Sequence, residues 1–255
     1  MSRALPALLD PAPGAPFPDP ATALREPDGL LAIGGDLSPQ RLLTAYASGV
    51  FPWYSEGQPL LWWSPDPRTV FASDGVRLSS RFRRQLRRSD WTVVADRDFD
   101  GIVQACATAP REGQHGTWIT GAMREAYSRM HALGHAHSIE VLDGDGRLAG
   151  GLYGMALGRM FFGESMFSAR SGGSKVALAA LARVLHGWGW PLIDAQVENP
   201  HLVSLGAQSW PRTHFLAEVH RLTALPGRTG SWQEAFGRIP AADLARPLAE
   251  NLPSA

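Results

Sequence analysis

The segment LIDAQVENPHLVSLGAQSWPR, residues 192–212, opens as an apolar ribbon yet carries Asp194 and Gln196 two residues apart. In an extended chain, residues i and i+2 share a face, so an acid and an amide are expected to look out together. A carboxylate in that setting is costly unless something pairs with it. Upstream, MFFGESMFS places a second acid in a second ribbon, and strict alternation puts Phe162, Glu164, Met166 and Ser168 on one face. A single acid of this kind is readily explained as a sheet-edge partner for a surface arginine, because structural ion pairs are common. Two polar intrusions into one sheet point instead to a site, where such acids hold a cation or move a proton.

Other constellations are weaker. The loop ARSGGSK precedes a helix, where converging backbone N–H groups favour anions; a plain, flexible N-cap explains it equally well. His135 and His137 share an expected strand face and His131 lies one helical turn before them, but no further ligand stands at a standard spacing, so no metal is expected. VRLSSRFRRQLRRSD holds six arginines between Arg77 and Arg88 and no acid. Phe82 and Leu86, at i and i+4, could pin a helix inward and fan the arginines out. That face is either simply solvated or a contact for a polyanion. Nine tryptophans are many for this length, and FPWYSEG, LLWWSPDP and GTWIT lie in or beside loops. There they are either small-domain core or stacking platforms for unpaired bases.

The elements that must position these groups are legible in outline. Six prolines in the first twenty residues make an irregular arm. Ser38 as cap, Pro39 at the first helical position and Gly49 at the end delimit a short helix, and short aromatic strands follow. From Trp91 the order reads strand WTVVA, helix DFDGIVQACATA and helix GAMREAYSRMHAL. Three consecutive strands follow, HSIEVLD, RLAGGLYGMAL and MFFGESMFS. Helix VALAALARVLHGWG then leads to strand LIDAQV, a short helix begun by Asn199 and Pro200, and a last strand THFLAEV. A meander followed by a crossover helix implies an α+β fold, with a mixed sheet carrying helices on both faces. The expected division is a small N-terminal α+β domain over residues 1–70, a larger domain over 71–230 and a weakly patterned tail over 231–255.

The 255 residues, 44% hydrophobic, carry 24 basic and 24 acidic side chains, so global charge selects no polyanion partner. Cys106 is the only cysteine, which excludes an intrachain disulfide and suits a reducing, cytoplasmic setting. The proline-broken N-terminus is no signal segment, and no apolar run reaches the ~18–20 residues of a membrane span.

Taken together, several blocks resemble the leucyl/phenylalanyl-tRNA–protein transferases. They are EPDGLLAIGGDLSPQRLLTAYASGVFPWYSEGQPLLWWSPDPR, GTWIT, LGHAHSIEV, FFGESMFS, SKVALAAL and LIDAQVENPHLVSLGAQSWPR, covering the chain from about Glu26 to Leu222. The resemblance implies transfer of leucine or phenylalanine, and less well methionine, from aminoacyl-tRNA to proteins that begin with arginine or lysine, marking them for degradation. It implies an acetyltransferase-like (GNAT-like) larger domain, no cofactor, no membrane partner and a monomer. It assigns Asp194 and Gln196 to the reaction centre, sets Glu164 beside them and makes Met166 line an amino-acid pocket, with which Phe161 and Leu152 are grouped. Trp53 and Trp118 match aromatics at the terminal adenosine of the tRNA. Arg81, Arg84, Arg87 and Arg88 fall in the basic helix. REGQHGTWIT is longer before Gly116 than the family pattern, so the loop presenting Trp118 is expected to differ.

The implied reaction is aminolysis of an ester. An α-amine of pKa about 7.7–8 has an appreciable neutral fraction at physiological pH, so alignment and proton handling are the main needs. Asp194 could hold the amine, take its proton or orient Gln196, which suits hydrogen-bonded positioning better than base chemistry. Glu164 or Asp194 could seat the cationic acceptor. Two rivals remain: an acyl-CoA-dependent N-acyltransferase using Gly172–Lys175, and a non-catalytic tRNA-binding protein.

Overall fold

A computed structural model describes residues 5–12, 14–110 and 117–246. In chain order the elements are β1 (Ala7–Leu8), β2 (Leu30–Ile33), α1 (Pro39–Ala47), β3 (Phe51–Pro52), β4 (Leu61–Trp63) and β5 (Arg68–Ala72). Next come α2 (Ser80–Leu86), β6 (Thr92–Ala95), α3 (Phe99–Thr108), α4 (Gly121–Ala132), β7 (Ala136–Leu142), β8 (Leu148–Leu157) and β9 (Met160–Ser168). The chain continues through α5 (Gly173–Gly187), β10 (Leu192–Gln196), α6 (Pro200–Ser204), β11 (Gln208–Trp210), α7 (Arg212–Thr223), α8 (Gln233–Phe236) and β12 (Ile239–Pro240).

The first helix forms where its punctuation requires. Ser38 Oγ accepts the Arg41 N–H at 3.3 Å, and Pro39 occupies the first turn, where a missing N–H costs nothing. Gly49 follows at φ +70°, a conformation that a side chain would disfavour. Buried Arg41 donates to the carbonyls of Asp10, Ala12 and Ala15, so the proline-rich arm is tied to α1. This part of the chain carries a four-stranded sheet ordered β1-β2-β4-β3.

The larger sheet has eight strands in the order β11-β5-β10-β9-β8-β7-β6-β12. Only the β9–β10 pair is parallel, as expected where a crossover helix, α5, joins neighbouring strands. One face packs against α1, α3, α4 and α7 through Phe99, Met123, Tyr46, Phe215, Tyr153 and Phe162. The other packs against α2, α5 and the C-terminal segment through Leu86, Val176, Leu181, Phe161, Leu152 and Trp232. The fold is α+β with helices on both faces of a mixed sheet.

Several expectations change. THFLAEV lies in α7, not in a strand. Phe215, Val219 and Leu222, spaced four and three apart, form its buried stripe, the signature of a helix. The boundary expected at residue 70 falls inside β5, which pairs with β10 and β11 of the larger sheet. The tail expected after residue 230 supplies β12 to the sheet edge and buries Trp232. Trp232 stacks on His137 with ring centres 3.8 Å apart, and its backbone N–H donates to Asp96 Oδ2 at 2.7 Å. Asp96 Oδ2 also meets His137 Nδ1 at 2.9 Å, closing a buried latch between the sheet and the C-terminal segment.

Strict alternation also fails in the two strands that carry the acids. In β9, Ser165 lies opposite Tyr153 and Gly163 opposite Gly154, so Glu164 is the extra residue of a β-bulge. Phe162 and Phe167 therefore share one core, while Phe161 and Met166 share the other. In β10 the register slips between Asp194 and Gln196, and Gln196 adopts φ +62°. Asp194 and Gln196 are therefore related by a bulge and not by plain alternation, although they stay together, the Gln196 backbone N–H donating to Asp194 Oδ1 at 2.9 Å.

Candidate active site between two parting strands

Parallel pairing of β9 and β10 runs from Leu192 opposite Met160 to Asp194 opposite Phe162 and ends there. Both strands bulge immediately beyond that point, and a cavity of about 420 Å³ lies where they part. Glu164, Asp194 and Gln196 line its polar end. Leu152, Phe161, Met166, Leu178, Leu181 and Ile193 line its apolar end. Met166 is the direct cross-strand partner of Leu152, an adjacency created by the bulge at Glu164.

Glu164 is only 7% exposed. Its Oε1 accepts the Tyr46 hydroxyl at 2.6 Å and Gln196 Nε2 at 3.0 Å, and its Oε2 accepts the Tyr127 hydroxyl at 2.7 Å. Burial pushes its pKa up from 4.5 to about 7, against the opposing pull of the two tyrosine hydrogen bonds. Burial and the neighbouring Glu164 carboxylate in turn raise both tyrosines well above their ordinary range, so they remain hydroxyl donors. The result is a carboxyl group poised to change protonation state near neutral pH.

Asp194 is fully buried. Arg68 grips it with a two-pronged fork, Nε to Oδ1 at 2.8 Å and Nη2 to Oδ2 at 2.6 Å. Oδ1 also accepts the backbone N–H of Gln196 at 2.9 Å. Both carboxylate oxygens are thus engaged, and of the two cavity acids Glu164 alone has no cationic side chain paired with it among the described residues.

Pro52 and Trp53 from β3 and its end, together with Trp118, form part of the cavity wall. Trp53 is 38% exposed, and its carbonyl accepts the Trp63 indole N–H at 2.6 Å. Residues 111–116, REGQHG, on which the expectation of a different loop before Trp118 rests, lie outside the described residues. Arg81, Arg84, Arg87 and Arg88 are exposed on or just after α2, with Leu86 buried beneath. None of the four makes an ion pair among the described residues.

The glycine-rich loop is a compact N-terminus for α5. Gly172, at φ +89°, caps the helix and packs against the Phe82 ring, leaving no room for a Cβ. Ser174 N–H donates to Ser168 Oγ at 2.9 Å, and Gly173 N–H to the Arg170 carbonyl. Two of the N–H groups an anion would need are therefore occupied. His131 is stacked on Phe99 and His137 on Trp232. Among the described residues no group of three or more His, Cys, Asp or Glu side chains could hold a metal ion. No helix among them is long and apolar enough to cross a membrane.

Sequence reasoning missed Arg68, Tyr46 and Tyr127. An arginine opening the apolar ribbon RTVFA was a usable signal for the first. Nothing local marks the two tyrosines, which lie on inward faces of separate helices.

Comparison with known proteins decides the family. A profile described as leucyl/phenylalanyl-tRNA protein transferase matches residues 70–220, and one for the N-terminal domain of the same family matches residues 35–66. The chain belongs to the leucyl/phenylalanyl-tRNA–protein transferase family. A relative of that name from Xanthomonas axonopodis pv. citri is 66% identical over 244 residues, covering 96% of this chain and 98% of its own. A relative from Xylella fastidiosa is 63% identical over 232 residues, covering 91% and 95%. Two solved structures overlap more loosely. One is L-PGS from Bacillus licheniformis, at TM-score 0.38 and 11% identity, covering 67% of this chain and 54% of that one. The other is a GCN5-related N-acetyltransferase-like protein from Streptococcus suis, at TM-score 0.27 and 16% identity, covering 64% and 60%. Membership of the transferase family makes the chain an enzyme.

Proposed function

We propose that this protein transfers leucine or phenylalanine, and less readily methionine, from aminoacyl-tRNA to the α-amine of proteins that begin with arginine or lysine, the step that marks such proteins for degradation. The observation that carries this reading is the cavity between the parting strands, with an ionisable carboxyl group at one end and aliphatic and aromatic side chains at the other. An aminoacyl ester needs the apolar end; a cationic acceptor needs the carboxylate.

The aminoacyl side chain enters between Leu152, Met166 and Phe161, with the terminal adenosine against Trp53 and Trp118. The arginines of α2 hold phosphates further along the RNA. Glu164 draws the acceptor, which carries positive charge on both its amine and its side chain. His201, also on the cavity wall, offers no competing cation near neutral pH, because burial and nearby Lys175 lower its pKa. The amine first gives up its ammonium proton to solvent, and its neutral nitrogen then attacks the ester carbonyl. A C–N bond forms, the C–O bond to the ribose breaks, and the amine's proton passes through Glu164 to the departing ribose oxygen. Gln196, hydrogen-bonded to Glu164, helps fix the carboxylate's place. Positioning of this kind accounts for about 7–11 kcal/mol of barrier lowering in favourable cases.

The test is a transfer assay with labelled phenylalanyl-tRNA and two peptides differing only in their first residue. Label should appear on the arginine-starting peptide and not on its alanine-starting counterpart. Equal labelling of both would remove the acceptor reading, and no labelling would remove the transfer reading. The non-catalytic alternative leaves Glu164, Gln196 and the cavity without a task.

A further inference from the structure

Arg68 is fully buried at the start of β5, and the sequence places it 126 residues from its partner. Its fork is spent on Asp194, and Nη1 donates to the Gly49 carbonyl at 3.1 Å. The rings of Phe51 and Phe215 also pack against it, their centres 4.7 and 4.5 Å from the guanidinium carbon. Donors and rings together leave the group one orientation. A planar, five-donor cation matches this bidentate, ring-flanked slot in a way that the single ammonium of lysine does not.

The arrangement continues beyond Asp194. Gln196 stands at φ +62°, a left-handed backbone conformation that a side chain disfavours. Glycine would adopt it freely, but glycine has no side-chain amide to offer Glu164. The backbone N–H of Gln196 bonds Asp194 Oδ1, and its side-chain Nε2 bonds Glu164 Oε1. The unfavourable conformation is thus held from one side and used on the other.

We propose that Arg68 is a positioning residue for the transfer reaction: by fixing Asp194 it locks Gln196 in the conformation that presents its amide to Glu164. Asp194 then acts through Gln196 and neither takes the amine's proton nor seats the acceptor. The proposal rests on the transfer activity proposed above.

The experiment compares wild-type protein with Arg68→Lys, using phenylalanyl-tRNA and an arginine-starting peptide. A wild type that transfers nothing defeats the function and leaves the question of Arg68 without a reaction. Given an active wild type, Arg68→Lys should lower kcat by about 10²-fold, the cost of a small misplacement at a reacting centre. KM for phenylalanyl-tRNA should stay within about threefold, because the apolar end is untouched, whereas general loss of structure would move both parameters. The acidic limb of the pH–rate profile should persist, because Glu164 remains. If the lysine variant does not fold, the paired variant Arg68→Met with Asp194→Leu answers the same question. It removes both buried charges together, a change that folds tolerate far better than loss of one, yet leaves the Gln196 N–H without its acceptor. A folded paired variant with wild-type kcat would overturn the proposal, as would a folded Arg68→Lys whose only defect is in KM.

Discussion

Glu164 and Gln196 meet across the gap between two parallel strands, Nε2 to Oε1 at 3.0 Å, at the point where both strands leave their regular register. If Glu164 carries the amine's proton, Glu164→Gln should lower kcat by about 10²–10⁴-fold, the usual worth of general acid–base catalysis. It should also abolish the limb of the pH–rate profile near 7, leaving the acceptor amine's own limb. Steady-state rates from pH 5.5 to 9 read both effects; an unchanged profile would take Glu164 out of the proton path.

The same carboxyl group links stability to pH. Its folded pKa lies above its ordinary value, so its contribution favours the folded state fully below about pH 4.5 and is lost as pH rises through about 7. A rise from 4.5 to about 7 corresponds to about 3 kcal/mol as an upper figure. Glu164→Gln should therefore gain stability relative to wild type at pH 8.5 compared with pH 5. Urea unfolding at the two pH values checks this; a difference independent of pH would mean that the group is not raised.

At the apolar end, Leu152 and Met166 face each other as a cross-strand pair. Leu152→Phe should narrow the cavity and reduce phenylalanine transfer relative to leucine by about 10–200-fold, the range that one or two methylenes command. Competition between the two charged tRNAs measures the ratio. An unaltered ratio would place the side-chain pocket elsewhere.

The exposed arginines of α2 should act through phosphates. Arg84→Ala with Arg88→Ala should weaken tRNA binding and flatten its salt dependence, by about 0.7 in slope for each single-strand phosphate no longer neutralised. Binding titrations at several salt concentrations read the slope directly, and a slope equal to that of wild type would exclude this face.

The latch of Asp96, His137 and Trp232 should matter for stability and not for chemistry. Trp232→Ala should destabilise the fold by about 3–5 kcal/mol, as for other buried aromatics. Chemical unfolding with Trp232→Phe as the conservative control checks it; a loss below about 1 kcal/mol would show that the segment is not docked.

Much of this architecture is readable from local signals. Ser38, Pro39 and Gly49 delimit α1 because caps and breakers act within a few residues, and Phe82 with Leu86 set the inward stripe of α2. The cavity acids are readable as polar intrusions into apolar strands. Their orientation is only half legible: Gly163 beside Glu164 is a usable mark of the first bulge, whereas no glycine or proline marks the one at Gln196, and period two is the default reading without such a mark. Helix α7 reads as a strand because THFLAEV is too short a window to separate period two from period 3.6. The Arg68–Asp194 pair and the tyrosine hydroxyls on Glu164 join segments far apart in sequence, where no local pattern reaches.

The most direct measurement is a structure of the protein bound to a non-hydrolysable 3′-amide analogue of phenylalanyl-adenosine. The account predicts the phenyl ring between Leu152, Met166 and Phe161, the adenine against Trp53 and Trp118, and the amide carbonyl carbon within reach of a nitrogen held at Glu164. An analogue bound outside the gap between β9 and β10, with that cavity still empty at saturating concentration, would contradict it.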